Sequence, residues 1–157
     1  FKLYLDSETR MKKGRPGWEW LKDRCDGASR IRKFIKKKKI KQFVVPDKWI
    51  YILPPSPTSR EAIQQPLLVV ETDMLLASKS ENKAAWQQKV TKKTLHELYM
   101  ILSKGYGSWF VTGNVPYTQK GQFAFIDTEY PVRKISLHKV GQYLSPEMAA
   151  YWIKLTE

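Results

Sequence analysis

Cysteine and histidine are scarce in this sequence. Cys25 is the single cysteine among 157 residues, and His96 and His138 are the two histidines. One cysteine excludes an internal disulfide, and isolated histidines do not form the Cys/His cluster that binds structural zinc. We therefore expect both histidines to be ordinary surface residues. The lone thiol fits a reducing compartment.

Long apolar runs are also absent, and acidic residues are fewer than basic ones. No stretch of about 18 consecutive apolar residues occurs, so the sequence predicts no membrane-spanning helix. The chain has 28 Lys and Arg against 15 Asp and Glu, a net charge of +13, and a globular apolar content of 42%. No signal-peptide pattern is visible. We expect the cytoplasm or, for a secreted bacterial effector, the host cytosol.

The excess positive charge is concentrated in "RIRKFIKKKKIK", residues 30–41. Such a run is either a solvated helix face or a surface that binds polyanions such as nucleic acid. The aromatic "KWIYIL" that follows adds the stacking surfaces that single-strand binders use. No RNP-type motif, zinc finger or helix-turn-helix signature accompanies it, so this binding would be non-specific and salt-sensitive. The candidate polyanion-binding residues are Arg30, Arg32, Lys33, Lys36, Lys37, Lys38 and Lys39.

The spacing of apolar residues predicts a single α+β domain over residues 1–157. Thr91 and Ser145 are expected to cap helices, and Gly105 and Gly107 to end one. Gly27 is expected to be a weak point within the first helix. The predicted elements are a strand at 1–7, a helix at 18–37, strands at 43–45, 49–53 and 67–75, a two-part helix over 81–104, a strand at 122–129 and a final helix broken at Ser145–Pro146.

Two carboxylates follow the apolar strand "QFAFIDTE". Asp127 and Glu129 lie on the same side of an extended chain and repel each other unless a cation lies between them. We expect a basic residue such as Arg133 to pair with Glu129. A turn can bring Asn114 beside Asp127, and an amide oxygen with a carboxylate suits magnesium, which also binds phosphate oxygens. The alternative is a purely structural turn.

The "N…FIDTE" pattern resembles the protein-kinase-like fold, in particular its aminoglycoside-phosphotransferase-like branch. In that branch a catalytic loop, Asp-x-x-x-x-Asn, precedes a strand that ends in Asp-x-Glu or Asp-x-Asp. The resemblance implies ATP and Mg²⁺ as ligands, with Asn114 and Asp127 as the metal-binding residues. It also implies a small mixed sheet and hinge over 1–74 and a mainly helical part over 75–157.

The same resemblance assigns nucleotide-binding residues. Lys2 in "FKLYL" would be the phosphate-binding lysine, although a lysine at this position is otherwise a surface residue with its stem on apolar neighbours. Glu71, Thr72 and Asp73 would form the hinge, whose backbone hydrogen-bonds adenine. Residues 31–54, "IRKFIKKKKIKQFVVPDKWIYILP", are also similar to segments of kinase-like proteins from intracellular, chlamydia-related bacteria.

The chain departs from the kinase pattern at its catalytic positions. Trp109 stands where the catalytic aspartate is expected, and an indole cannot accept the substrate proton. No glycine-rich loop precedes the lysine strand, and Glu19 is the one early helix acid that could pair with the lysine.

The resemblance therefore implies a degenerate, pseudokinase-like domain that binds nucleotide and magnesium without efficient phosphotransfer. We expect Trp109 to fill the cleft that an active enzyme leaves open. The alternatives are a basic nucleic-acid or polyanion-binding module, and an interaction scaffold that binds no nucleotide. Hydrolase, Walker and dinucleotide motifs are absent.

Overall fold

A computed structural model describes residues 2–4, 15, 17–55, 67–129 and 132–157, which form a mixed α+β structure. None of the helices in these ranges is long and apolar enough to cross a bilayer. The elements in chain order are β1 (Lys2–Tyr4), α1 (Gly17–Lys38), β2 (Phe43–Val44), β3 (Lys48–Ile52), β4 (Leu67–Glu71), α2 (Lys79–Gln88), α3 (Lys92–Leu102), α4 (Val111–Asn114), β5 (Phe123–Ala124), a 3₁₀ helix (Leu137–Tyr143) and α5 (Pro146–Thr156).

A three-stranded antiparallel sheet has the order β1-β4-β3. Val69 in the central strand lies opposite Lys2 of β1 and Ile50 of β3. We expected a strand over residues 67–75 that is buried on both faces, but β4 is shorter, and only its central residue, Val69, is fully buried. The strand ends because Asp73 accepts a hydrogen bond from the Leu75 amide and Leu75 adopts a φ of 49°, which turns the chain.

Helix α1 packs against β3 and β4, and its bounds agree with the predicted helix at 18–37. Leu21, Ala28 and Ile31 from the predicted stripe are buried. Trp18 was expected in that stripe but is 40% exposed, and Trp20 is buried instead. The stripe is therefore displaced at the start of the helix, where the Arg15 guanidinium lies over the Trp20 ring at 4.9 Å.

Strands β2 and β5 form a second, parallel pair. We expected β5 to span 122–129, but its ladder covers Phe123–Ala124. The partner strand is short because Pro46, which lacks an N–H, follows soon after Val44. Phe125 continues in extended form and donates its amide to the Val44 carbonyl at 2.9 Å. The rings of Phe43, Phe123 and Phe125 pack together in the core.

Helices α3 and α5 begin at the predicted caps, and α3 is followed by the two predicted glycines. Thr91 and Ser145 are N-caps, as expected, and accept hydrogen bonds from the third helical residue. Gly105 and Gly107 follow α3 with φ values of 80° and 81°, a conformation that glycine adopts without strain. The segment around residues 108–116, expected as a loop, contains the short helix α4, which ends at Asn114.

Candidate functional site

A cleft opens below the end of β4. Its cavity of about 430 Å³ is lined by Val70, Glu71, Thr72, Asp73, Met74, Leu76 and Ile126. The three predicted hinge residues therefore share one cleft with the residue that precedes Asp127. A second cavity of about 270 Å³ shares Thr72, Asp73 and Met74 with the cleft and is also lined by residues 44–47.

The segment that was predicted to be a hinge, residues 71–73, and the residues that follow it are held from both sides by backbone hydrogen bonds. The Thr72 amide donates to the Asp47 carbonyl at 3.0 Å, next to β3. On the other side the Ala77 amide donates to the Tyr117 carbonyl at 2.9 Å, and the Gln119 amide donates to the Leu75 carbonyl at 2.8 Å. The segment after β4 is thus fixed between the sheet and the turn that leads into β5.

Asn114 and Asp127 come from neighbouring backbone segments. The Ile126 amide donates to the Asn114 carbonyl at 3.1 Å, and the Asn114 amide donates to the Phe110 carbonyl at 2.9 Å within α4. One amide oxygen and one carboxylate suit Mg²⁺ when ligand oxygens and water complete the octahedron. In the described part of the chain, no group of three or more His, Cys, Asp or Glu residues could hold a metal ion. A metal here would therefore depend on oxygens from a bound ligand.

Arg24 of α1 lies beside both carboxylates. Its guanidinium donates to the Glu129 carboxylate, and its Nη1 is 3.9 Å from Asp127 Oδ1. The expected cation between the carboxylates is present, but it is Arg24. Our choice of Arg133 as the partner of Glu129 was wrong, because Arg133 Nε donates to the Gly107 carbonyl at 3.1 Å. The side chains of Arg24 and Glu129 are 11% and 8% exposed, whereas that of Asp127 is 35% exposed.

Gly27 allows α1 to approach the carboxylate segment closely. A Cβ atom on Gly27 would lie 2.1 Å from the Thr128 carbonyl oxygen, a distance that no real side chain adopts. The Thr128 hydroxyl also donates to the Arg24 carbonyl at 2.7 Å. The residue that we expected to weaken the helix is therefore required for its packing.

Lys48, which was not among the predicted site residues, contacts two of the residues that line the cleft. Its Nζ donates to the Ile126 carbonyl at 2.5 Å and pairs with Glu71 Oε2 at 2.8 Å, and its side chain is 1% exposed. Alternation along β3 contains the signal, because it places Lys48 on the same face of the strand as Ile50, opposite to Trp49 and Tyr51. Its register partner across the ladder is Glu71.

The lysine proposed for phosphate binding lies on the strand next to the hinge strand. Lys2 is opposite Val69 of β4, and its side chain lies outside the described residues. Whether it reaches the cleft stays a prediction. Glu19, the acid considered as its partner, pairs with Arg15, with an Nε–Oε2 distance of 2.7 Å.

Trp109 does not line either of these cavities. It packs beside Phe110, with ring centroids 6.1 Å apart, and below Lys139, whose Nζ lies 4.8 Å from the ring centroid. The expectation that Trp109 fills the cleft was therefore wrong. The indole instead joins α4 to the 3₁₀ helix.

The segment that contains Trp109 has neither acidic residues nor histidine. The sequence has no Asp, Glu or His between Glu97 and Asp127. Glu97 is buried and accepts hydrogen bonds from the amides of Lys41 and Gln42 at 3.2 and 2.9 Å. Its carboxylate is therefore committed to the loop between α1 and β2.

The basic run does not join the exposed aromatics in one surface. Arg32 pairs with Asp47 at 2.8 Å and donates to the Pro46 carbonyl at 2.6 Å, so its charge has an internal role. Trp49 and Tyr51 are 48% and 52% exposed, on the sheet face opposite to the inward-pointing Lys48. The other candidate cations are exposed: Arg30, Lys33, Lys36, Lys37, Lys38 and Lys39.

The two histidines, His96 and His138, are exposed, as predicted. Comparison with protein-family models, curated proteins and solved structures gave no match to this chain. The function must therefore be inferred from the chemistry of the cleft and of the surface.

Proposed function

We propose that this chain binds a nucleotide together with a magnesium ion in the cleft below β4, in a kinase-like arrangement without efficient phosphotransfer. The observation that carries the proposal is the shared cleft. Glu71, Thr72 and Asp73 line the same cavity as Ile126, and Asp127 follows directly. The volume of about 430 Å³ falls in the range of small-molecule sites. If the nucleobase of the ligand lay beside residues 71–73, the phosphates of the nucleotide would extend towards Asp127.

The charge of the cleft supports a magnesium complex as the ligand. Among the described residues in and beside the cleft, carboxylates outnumber the cations Arg24 and Lys48. The net charge of the whole chain is +13, but the carboxylates near the cleft repel a free triphosphate, since like charges a few Å apart interact strongly in a partly buried site. A divalent cation removes this repulsion. The carboxylates in and beside the cleft are Glu71, Asp73, Asp127 and Glu129.

Asp127 is the carboxylate best suited to contact the metal. Glu129 is buried and committed to Arg24, whereas Asp127 keeps a 3.9 Å separation from the guanidinium and greater exposure. Asn114, the last residue of α4, lies on the adjacent backbone segment and accepts a hydrogen bond from the Ile126 amide. Together these two side chains would provide an amide and a carboxylate oxygen, and a bound phosphate would provide others. Magnesium would neutralise phosphate charge and orient it in this cleft.

Lys48 and Arg24 position this site. Lys48 connects β3 to the Ile126 carbonyl, and Arg24 connects α1 to the Glu129 carboxylate. Both contacts join the segment that bears Asp127 to the sheet and to α1. Because no acid or histidine lies between Glu97 and Asp127, this segment does not supply the carboxylate base of the kinase pattern, a group that accounts for a factor of roughly 10² to 10⁴ in rate. Nucleotide binding without efficient transfer is therefore the expected outcome.

The test is a calorimetric titration of ATP in the presence of magnesium into the wild-type chain and Asp127→Asn. We expect the substitution to weaken binding by at least about tenfold, because it removes a charged metal ligand. Asp26→Asn is the matched control: it changes the net charge equally, and Asp26 pairs on α1 with Lys22 and lines neither cavity. Equal binding by Asp127→Asn and wild type would contradict the assigned metal ligand. No binding by wild type would refute the nucleotide site.

A further inference from the structure

The charges of α1 are segregated along its length. In its first half, the acids Glu19 and Asp23 pair with Arg15, and Asp26 pairs with Lys22. From Gly27 to Pro46 the sequence contains no acidic residue. Positive charge therefore accumulates at the C-terminal end of the helix, away from the carboxylates that neutralise its beginning.

Seven cations at this end form an exposed basic surface. Among the described residues none of the seven takes part in an ion pair. The helix dipole accounts for cations in the last turn, but it does not account for those before and after that turn. The basic surface consists of Arg30, Lys33, Lys36, Lys37, Lys38, Lys39 and Lys41.

Part of this basic surface is a linear stripe. Arg30, Lys33 and Lys37 follow each other at helical spacings of three and four, so their side chains project from one side of α1. With a rise of about 1.5 Å per residue, the stripe is about 10 Å long. Several cations in a row match a polymer of regularly spaced phosphates better than a single small anion.

We propose that the basic surface binds the phosphodiester backbone of a nucleic acid, without selectivity for base sequence. The exposed aromatics Trp49 and Tyr51 do not extend this surface, because they lie on the sheet face opposite to Lys48 and α1. Contacts to phosphates position a nucleic acid but do not read its bases. The binding is therefore electrostatic and weakens steeply with salt.

The composition of the basic surface favours nucleic acid over an anionic membrane. Ile31 and Ile40 are buried, and Phe34 and Ile35 pack against the core. No apolar side chain in this stretch is exposed for insertion between lipids, on which stable interfacial binding of a helix depends. The surface is also distinct from the cleft, since it begins about 9 Å along α1 from Arg24, at Arg30, and none of its residues lines either cavity.

The test is fluorescence anisotropy with labelled single-stranded RNA and with a DNA duplex of the same length, between about 50 and 200 mM salt. The full chain is compared with Lys33→Gln/Lys37→Gln and with Lys79→Gln/Lys83→Gln on α2. Both double variants remove the same charge from exposed helix positions. We expect the α1 variant to bind about tenfold more weakly and its logarithmic salt slope to fall by about 1.5, whereas the α2 variant stays close to wild type.

Three results would overturn the proposal. Wild type could fail to bind either nucleic acid at low salt. The two double variants could lose affinity equally, which would indicate attraction by net charge alone. Finally, the chain could bind phosphatidylserine-containing vesicles and neither nucleic acid, which would assign the basic surface to membranes. Thermal unfolding of each variant shows that the comparison is made between folded proteins.

Discussion

Gly27 and Arg24, almost one turn apart on α1, determine how the segment that bears Asp127 lies against the helix. Gly27 lets the Thr128 carbonyl approach the helix backbone, and Arg24 binds the Glu129 carboxylate on the same side. Breaking a buried ion pair by removing one partner costs about 3 to 5 kcal/mol. At the scale of single residues, the position of Asp127 therefore depends on two residues of α1.

The substitution Gly27→Ala tests this packing. Alanine favours a helix by about 1 kcal/mol over glycine, but its Cβ would lie 2.1 Å from the Thr128 carbonyl oxygen, and overpacking of this kind costs about 1 to 3 kcal/mol. We expect a net loss of stability in urea denaturation, together with weaker ATP binding.

Gly141→Ala is the control, because the nearest atom to its new Cβ is Ala149 Cβ at 4.0 Å. Its free energy of unfolding should change by less than about 0.5 kcal/mol. If Gly27→Ala were as stable as Gly141→Ala, the close approach of residue 128 to α1 would be wrong.

Helices are the elements in which local sequence and structure agree best. Ser78 begins α2 with a capping box: its hydroxyl accepts from the Glu81 amide at 3.3 Å, and the Glu81 carboxylate accepts from the Ser78 amide at 2.8 Å. Thr91 begins α3 in the same way with Thr94. Each box satisfies amides that have no partner within the helix. The two helices therefore start at positions that their own residues define.

The capping box of α2 predicts a pH effect. Hydrogen bonds from Ser78 lower the pKa of Glu81 below its ordinary value of 4.5. A lowered folded-state pKa means that the ionised carboxylate stabilises the fold at neutral pH and that this contribution is lost as the pH falls through the folded-state pKa. An NMR titration should give a Glu81 pKa below 4.5 in wild type and a value closer to 4.5 in Ser78→Ala. Identical pKa values in the two proteins would contradict the capping box.

For the whole molecule, sequence separation decides what could be predicted. The helix at 18–37 and the caps Thr91 and Ser145 were predicted because their signals are local. Arg24 and Glu129 are 105 positions apart, and Lys48 and Ile126 are 78 apart. Apolar periodicity contains no information on which distant cation meets which carboxylate. The sequence could therefore indicate a carboxylate site but could not identify the cations that hold it.

Charge gives the molecule two regions of opposite character. The cleft below β4 is acidic, and the far end of α1 is strongly basic. The two proposals use these regions separately, so Lys33→Gln/Lys37→Gln should leave ATP binding unchanged, and Asp127→Asn should leave nucleic-acid binding unchanged. A single polyanion site for both ligands would instead make each variant affect both titrations.

Magnesium dependence of ATP binding is the most direct test of the central claim. Calorimetry of the wild-type chain should compare ATP with magnesium against ATP with EDTA. We predict binding with magnesium and binding at least about tenfold weaker without it, because the carboxylates around Asp127 repel an unneutralised triphosphate. Equal or tighter binding in EDTA would contradict the acidic cleft as the nucleotide site and would direct attention to the basic surface of α1.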